Sequence, residues 1–160
     1  MNPEDARSTP IPLCDCGLAA AANLLADRWT VLVLREAFYG VGRFEDIRAD
    51  LQIPKATLTK RLNSLIDAGL LQKVSYEEPG QRLRERYALS EQGRRLALPL
   101  LALMQWGDDA LLGGKSALAL TSKTSGARVR VGFVDEDGNA VRPDQVAYTP
   151  RPPTKKETSS

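Results

Sequence analysis

The fold is decided by the stretch Leu58-Thr59-Lys60-Arg61-Leu62-Asn63-Ser64-Leu65-Ile66-Asp67-Ala68-Gly69-Leu70-Leu71. Its apolar residues at 58, 62, 65 and 66 recur at helical spacing, and Gly69 is a helix-ending residue. The other side of this helix is small, polar or cationic, with Ala56, Thr57, Lys60, Asn63 and Ser64, and with Lys55 and Arg61 nearby. A short helix with one buried face and one cationic face fits the major groove of DNA.

A second helix and a hairpin are predicted on either side of this stretch. Residues 43–51 carry apolar side chains at i, i+3 and i+7, and residues 52–54 form the turn that follows. Pro54 suits the first position of the next helix, where its missing N–H costs nothing. Residues 70–76 and 84–89 are typical of two strands joined by a turn. Helix, turn, helix and hairpin, in this order, predict a winged helix.

Two helices are predicted before this unit and one after it. Residues 17–26 are rich in alanine and leucine, and Asp27 is suited to cap the next helix, over residues 28–38. That second helix is apolar on most sides and should lie at the centre of the domain. After the hairpin, Ser90 should cap a long helix that ends near Leu112. Only some of its leucines can reach so small a core, so the rest predict a dimerisation helix.

Composition narrows the function classes. The chain has 160 residues, of which 42% are hydrophobic, and a net charge of +2. It has no apolar run long enough to span a membrane and no secretory signal, so we expect no membrane partner and a cytoplasmic protein. Histidine is absent, which removes the usual general base, and no serine or cysteine constellation replaces it. We therefore expect no catalytic residues and no enzyme activity.

Cys14 and Cys16 are the only cysteines. Two thiols cannot complete a structural zinc site, and a disulfide between residues two apart would be strained. We therefore expect no metal and no cofactor. Two interpretations stay open for the thiols. Both cysteines are simply reduced residues before the first helix, or Cys16 senses oxidants or bridges two subunits.

The chain resembles bacterial winged-helix transcriptional regulators of the HxlR type, which are relatives of the MarR group. The matching segments follow one another in the family's order and spacing over about residues 14–107. They are Cys16 and residues 24–35, 42–47, 58–62, 68–70 and 84–93. The resemblance implies a homodimer that binds pseudo-palindromic operator DNA and represses or activates nearby genes.

Three positions depart from the family pattern. Gly17 stands where relatives usually have proline after the cysteine, and Pro54 replaces the usual serine cap of the recognition helix. The wing also carries extra residues around 80–83. These departures bear on the redox role and on the operator sequence.

Nine residues are predicted to contact DNA. Cationic side chains would hold phosphates, and Thr57 and Lys60 would reach base edges. The nine are Arg43 before the third helix, Lys55, Thr57, Thr59, Lys60 and Arg61 on the recognition helix, and Arg82, Arg84 and Arg86 on the wing. For each cation the alternative is a solvated surface charge, and Arg84 could instead pair with an acidic neighbour.

The predicted architecture is of the α+β class. It comprises a winged helix-turn-helix with a long C-terminal dimerisation helix and an appended small β-hairpin tail. The segments are a flexible arm (1–13), the DNA-binding and dimerisation domain (14–112), a β extension (113–149) and a disordered tail (150–160). In the extension we expect strands over 127–134 and 140–148, and a third over 118–122.

We therefore predict a sequence-specific regulator that binds an inverted-repeat operator in double-stranded DNA as a homodimer. A thiol switch, an oxidant or a small-molecule effector is left open. The alternative is a winged-helix module that binds another protein and never contacts DNA.

Overall fold

A computed structural model describes residues 11–77 and 83–147. These residues belong to two compact units, one of residues 13–131 and one whose described part is residues 11–12 and 132–147. Predictions for residues 1–10, for Arg82 and for 148–160 lie outside the described residues. In chain order the elements are α1 (Gly17–Leu25), α2 (Arg28–Phe38), α3 (Phe44–Leu51), α4 (Lys55–Asp67), β1 (Leu71–Tyr76), β2 (Arg84–Leu89), α5 (Glu91–Arg94), α6 (Ala97–Leu111), β3 (Phe133–Val134) and β4 (Ala140–Val141).

The core of the first unit joins α2, α3, α4 and the start of the β1–β2 hairpin. The apolar stripe predicted on α4 faces inward, with Leu58, Leu62 and Leu65 buried and Ile66 half-buried. Burying a leucine side chain contributes about 1.5–3 kcal/mol. The stripe packs into one cluster with buried residues of the other elements, namely Val33, Leu34, Ile47, Ile53, Leu70 and Leu71.

Side-chain caps fix the starts of two helices where the sequence predicts them. Asp27 accepts a hydrogen bond from the Thr30 N–H at 3.1 Å and so caps α2. Ser90 accepts one from the Gly93 N–H at 2.9 Å and caps α5. Pro54 differs from its prediction, because it occupies the capping position before α4 and not the first helical position. Its ψ of 137° is extended, so the backbone at Pro54 is not yet helical and α4 begins at the next residue.

The hairpin of β1 and β2, here called the wing, is antiparallel, with Leu71 opposite Leu89 and Tyr76 opposite Arg84. The Tyr87 N–H donates to the Gly42 carbonyl at 2.8 Å, which ties the wing to the start of α3. A Cβ on Gly42 would lie 2.5 Å from the Tyr87 carbonyl oxygen. The absence of a side chain at position 42 is therefore required for this close approach.

α1 and α2 meet at an angle of 88°. No residue of α1 is buried, although α2 contributes Val33 and Leu34 to the core. Among the described residues, no single helix is long and apolar enough to cross a membrane, and α1 and α2 pass that test only as a bent pair.

The long helix predicted after Ser90 is wrong in one respect, because it is broken into α5 and α6. The break falls at Arg95 and Leu96, three to four residues before Pro99. A continuous helix would need the Pro99 nitrogen to donate to the Arg95 carbonyl, but proline has no N–H and its ring clashes with that carbonyl. Pro99 is accommodated in the first turn of α6 instead.

The strands predicted in the extension are also wrong in extent. β3 and β4 have two residues each and pair as Phe133–Val141 and Val134–Ala140 around the predicted turn. Residues 121 and 128 form only an isolated bridge, and the segment 113–131 belongs to the first unit. Phe133 and Val134 are exposed. Lengthening β3 would therefore bury little apolar surface and is weakly favoured.

We predict that Gly93→Ala lowers the free energy of unfolding by about 1–3 kcal/mol, because overpacking strains a close contact. A Cβ at position 93 would lie 2.1 Å from the Leu70 carbonyl oxygen. Urea unfolding at one protein concentration measures the effect. Gly107→Ala is the matched control, since a Cβ there meets nothing within 4 Å and should be neutral or stabilise α6 by up to about 1 kcal/mol. Equal effects of the two substitutions would contradict the packing described for α5.

Candidate nucleic-acid interface

The side of α4 opposite its buried stripe is exposed and forms a shallow open surface. We call it the outer face; it comprises Lys55, Ala56, Thr59, Lys60, Asn63, Ser64 and Asp67. Its small side chains leave room for a nucleic-acid backbone or base edge to approach. Lys55 and Lys60 supply the positive charge of this surface.

Of the two residues predicted to reach base edges, the structure places only Lys60 on the outer face. Thr57 is half-buried on the flank of α4, next to the buried Leu58. Thr59 is exposed, but its hydroxyl donates to the Lys55 carbonyl at 3.0 Å. The Thr59 hydroxyl oxygen keeps its lone pairs for a further contact.

The first turn of α4 carries two features that favour an anion. Pro54 provides no side-chain cap, so it leaves the first N–H groups of the helix to other acceptors. Helix N-termini of this kind bind phosphate through these N–H groups and the helix dipole. Lys55 stands in the same turn, where its charge opposes the dipole and is better placed for a ligand than for helix stability.

Arg61 lies on the inner flank of α4 and is paired within the chain. Its Nη2 atom donates to Asp27 Oδ2 at 3.0 Å. Its Nε atom lies 2.9 Å from Asp27 Oδ1 but is not aligned for a hydrogen bond, so this second contact is ionic. The Arg61 side chain is only 26% exposed. The predicted contact of Arg61 with DNA stays a prediction, but the structure gives the guanidinium a partner already.

The wing presents its arginines on β2. Arg84 and Arg86 are exposed and two residues apart, and neither forms an ion pair within the described part of the chain. The acidic neighbour of Arg84, Glu85, is paired instead with Lys73 at 3.0 Å. That hydrogen bond and the Glu85 charge raise the pKa of the Lys73 ammonium.

Arg43 occupies the position before α3 without capping it through its side chain, and lies near the wing. Its guanidinium carbon is 5.3 Å from the centre of the Tyr76 ring, which is a cation–π contact. Arg43 and Arg86 line the same cleft, together with Asp46, Asp50 and Tyr76. Two of the predicted phosphate contacts are therefore brought together beside the wing, although acidic side chains share the cleft.

The cysteines are free in the structure. Cys14 is exposed within a 3₁₀ turn, and Cys16 is half-buried at the capping position of α1. The described residues contain no group of three or more His, Cys, Asp or Glu that could hold a metal ion. The redox role of Cys16 stays a prediction.

Three contacts of this region were not predicted from the sequence. They are the Asp27–Arg61 pair, the Lys73–Glu85 pair and the stacking of Arg43 on Tyr76. The register of the wing follows from its alternating pattern and could have indicated the Lys73–Glu85 pair. The first joins residues 34 apart, and no local pattern signals it.

The HxlR-like helix-turn-helix family model matches residues 24–113. HTH-type transcriptional regulators of Mycobacterium bovis and Mycobacterium tuberculosis are 45% identical over 91 residues, which is 57% of this chain. The chain spans only 56% of the length of those mycobacterial relatives.

Two solved structures resemble the chain over most of its length. The crystal structure of PA1607, described as a candidate transcription factor, has a TM-score of 0.72 at 29% identity and covers 84% of this chain and 94% of its own. A candidate transcription factor of Pseudomonas aeruginosa, PA1374, has a TM-score of 0.60 at 29% identity and covers 89% and 97%. The family match covers more than half of the chain. The chain therefore belongs to the HxlR-like helix-turn-helix family.

Proposed function

We propose that this protein is a transcriptional regulator that binds an inverted-repeat operator as a homodimer, through the outer face of α4 and the wing. The observation that carries the proposal is the exposure of Lys55 and Lys60 on a helix whose opposite side is locked into the core. A groove-reading helix needs this combination, because its backbone must be rigid and its outer side chains free. The relatives named as transcriptional regulators support the same role.

The arginines beside α4 supply the sequence-independent part of binding. Arg84 and Arg86 on the wing, and Arg43 at the start of α3, are suited to phosphate contacts that set the position of the protein on the duplex. Lys60, with Asn63 and Ser64, is suited to reach base edges from the outer face. Binding should therefore combine a strong salt dependence with a preference for one sequence.

Exposed apolar side chains on α6 and α1 support the homodimer. α6 exposes 60% of Trp106, 66% of Leu98 and 69% of Leu111, and α1 exposes 79% of Leu18. Apolar side chains of this size and number are typical of a surface that another subunit covers. A homodimer would present two copies of α4 to successive major grooves.

The proposal is tested by titrating the full chain with the DNA upstream of its own gene and with an unrelated duplex of equal length. A regulator should prefer the upstream duplex by about 10³-fold or more, with an affinity that falls steeply as salt rises. The alternative, a module that binds another protein, predicts weak binding with no preference between the two duplexes.

We predict that Lys60→Ala weakens binding to the upstream duplex and reduces the slope of log K against log salt by about 1, because one cation that displaces counterions from the DNA is lost. Fluorescence anisotropy over a series of salt concentrations measures both. The exposed Lys115 lies beyond α6, and Lys115→Ala should leave the slope unchanged. If Lys60→Ala behaved like Lys115→Ala, the assignment of the outer face would be wrong.

We predict a hydroxyl-radical footprint with two protected regions related by two-fold symmetry and centred about 34 Å apart, since a dimer places its recognition helices one helical turn apart. A single asymmetric region would contradict the dimeric mode of binding.

Trp106→Glu should convert the dimer to a monomer in sedimentation experiments, because it places a charge on the apolar surface of α6. Leu83→Glu, at a wing residue that is 65% exposed, is the control and should leave the protein dimeric. A dimer that persists in Trp106→Glu would remove α6 from the interface.

A further inference from the structure

The ion pair between Asp27 and Arg61 joins the recognition helix to the start of α2. We infer that these two residues position α4 for DNA binding, and that Arg61 acts through Asp27 and not through a contact with DNA. The inference rests on the proposed function and assigns a further residue, Asp27, to its machinery.

Asp27 is held firmly enough to serve as an anchor. Its Oδ1 atom accepts the hydrogen bond from the Thr30 N–H at 3.1 Å, and its Oδ2 atom accepts the bond from Arg61 at 3.0 Å. Thr30 is 5% exposed, in the same helix as the buried Val33 and Leu34. The carboxylate therefore bridges the first turn of α2 and the recognition helix.

Arg61 occupies the boundary between the two sides of α4. It follows Lys60 of the outer face and precedes Leu62 of the buried stripe. The buried stripe sets which side of α4 faces inward. Because apolar packing is not directional, it limits small rotations about the helix axis less sharply than a hydrogen bond does. A charge-assisted hydrogen bond has a preferred geometry and resists such a rotation. Rotating α4 would break the pair and would turn Lys60 away from its position on the outer face.

The burial of the pair favours positioning over a phosphate contact. The side chains are 26% and 35% exposed for Arg61 and Asp27. A half-buried pair is screened by salt less than an exposed one. The aspartate also neutralises the arginine, so Arg61 adds little to the positive potential that a phosphate would meet.

The two roles predict opposite results for Asp27→Asn. Asparagine caps helices about as well as aspartate, so α2 keeps its cap while the ion pair is lost. If Arg61 positions α4, affinity for the upstream duplex should fall by about tenfold, a size typical of coupled contacts. If Arg61 binds phosphate, removing the competing carboxylate should raise affinity.

The experiment compares Asp27→Asn, Arg61→Gln and the double variant by anisotropy over a salt series, with the folded fraction checked by circular dichroism. Positioning predicts that both single variants bind about tenfold more weakly with an unchanged salt slope, and that the double variant is little worse than either. Amide spectra of the free Asp27→Asn protein should also show shifts along α4. Glu91→Gln, which breaks the exposed Glu91–Arg94 pair on α5, is the control and should change neither readout.

Several results would overturn the inference. They are tighter binding by Asp27→Asn, a slope reduced by about 1 in Arg61→Gln, additive losses in the double variant, or α4 amides that do not shift. If the wild-type protein has no preference for the upstream duplex, the proposed function fails and the positioning role fails with it. If the wild type binds and Asp27→Asn binds equally well, only the positioning role is wrong.

Discussion

The packing of Leu58, Leu62 and Leu65 against the buried side of α2 is the interaction on which the rest of the structure depends. It fixes which side of α4 faces inward and therefore which side chains remain outside. Replacing one of these leucines by alanine would cost about 2–5 kcal/mol, a large part of the stability of a domain of this size. The outer face can be small and cationic because it contributes so little to this core.

The charged side chains fall into two groups that differ in burial: exposed cations and the half-buried pair of Asp27 and Arg61. Exposed cations such as Lys55, Lys60 and Arg84 add little to folding, because ion pairs in water are worth at most about 1 kcal/mol. They are therefore free to serve binding. In our proposal the half-buried pair of Asp27 and Arg61 instead holds α4 in its orientation against α2. A net charge of only +2 thus coexists with a locally positive helix, and the total charge says little about the partner.

The regular elements were predictable from the sequence because local rules govern them. Helical periodicity defines the buried side of α4, and Asp27 and Ser90 carry their capping signals within three residues. The break before α6 follows from the rule for proline, but the apolar pattern on both sides of Pro99 obscured it.

The partner of Arg61 could not be predicted, since a pair that spans 34 residues depends on how the helices pack. The strands of the β extension were predicted to be too long, because an alternating pattern does not by itself provide an apolar surface against which a strand can pack.

The central claim is that α4 and the wing are the surface that meets DNA. It is tested most directly by following the backbone amides of the full chain while the upstream duplex is added. The account predicts shift changes concentrated at Lys55, Lys60 and Asn63 on α4 and at Arg84 and Arg86 on the wing. Shifts confined to α1 and α6, with α4 unmoved, would contradict it.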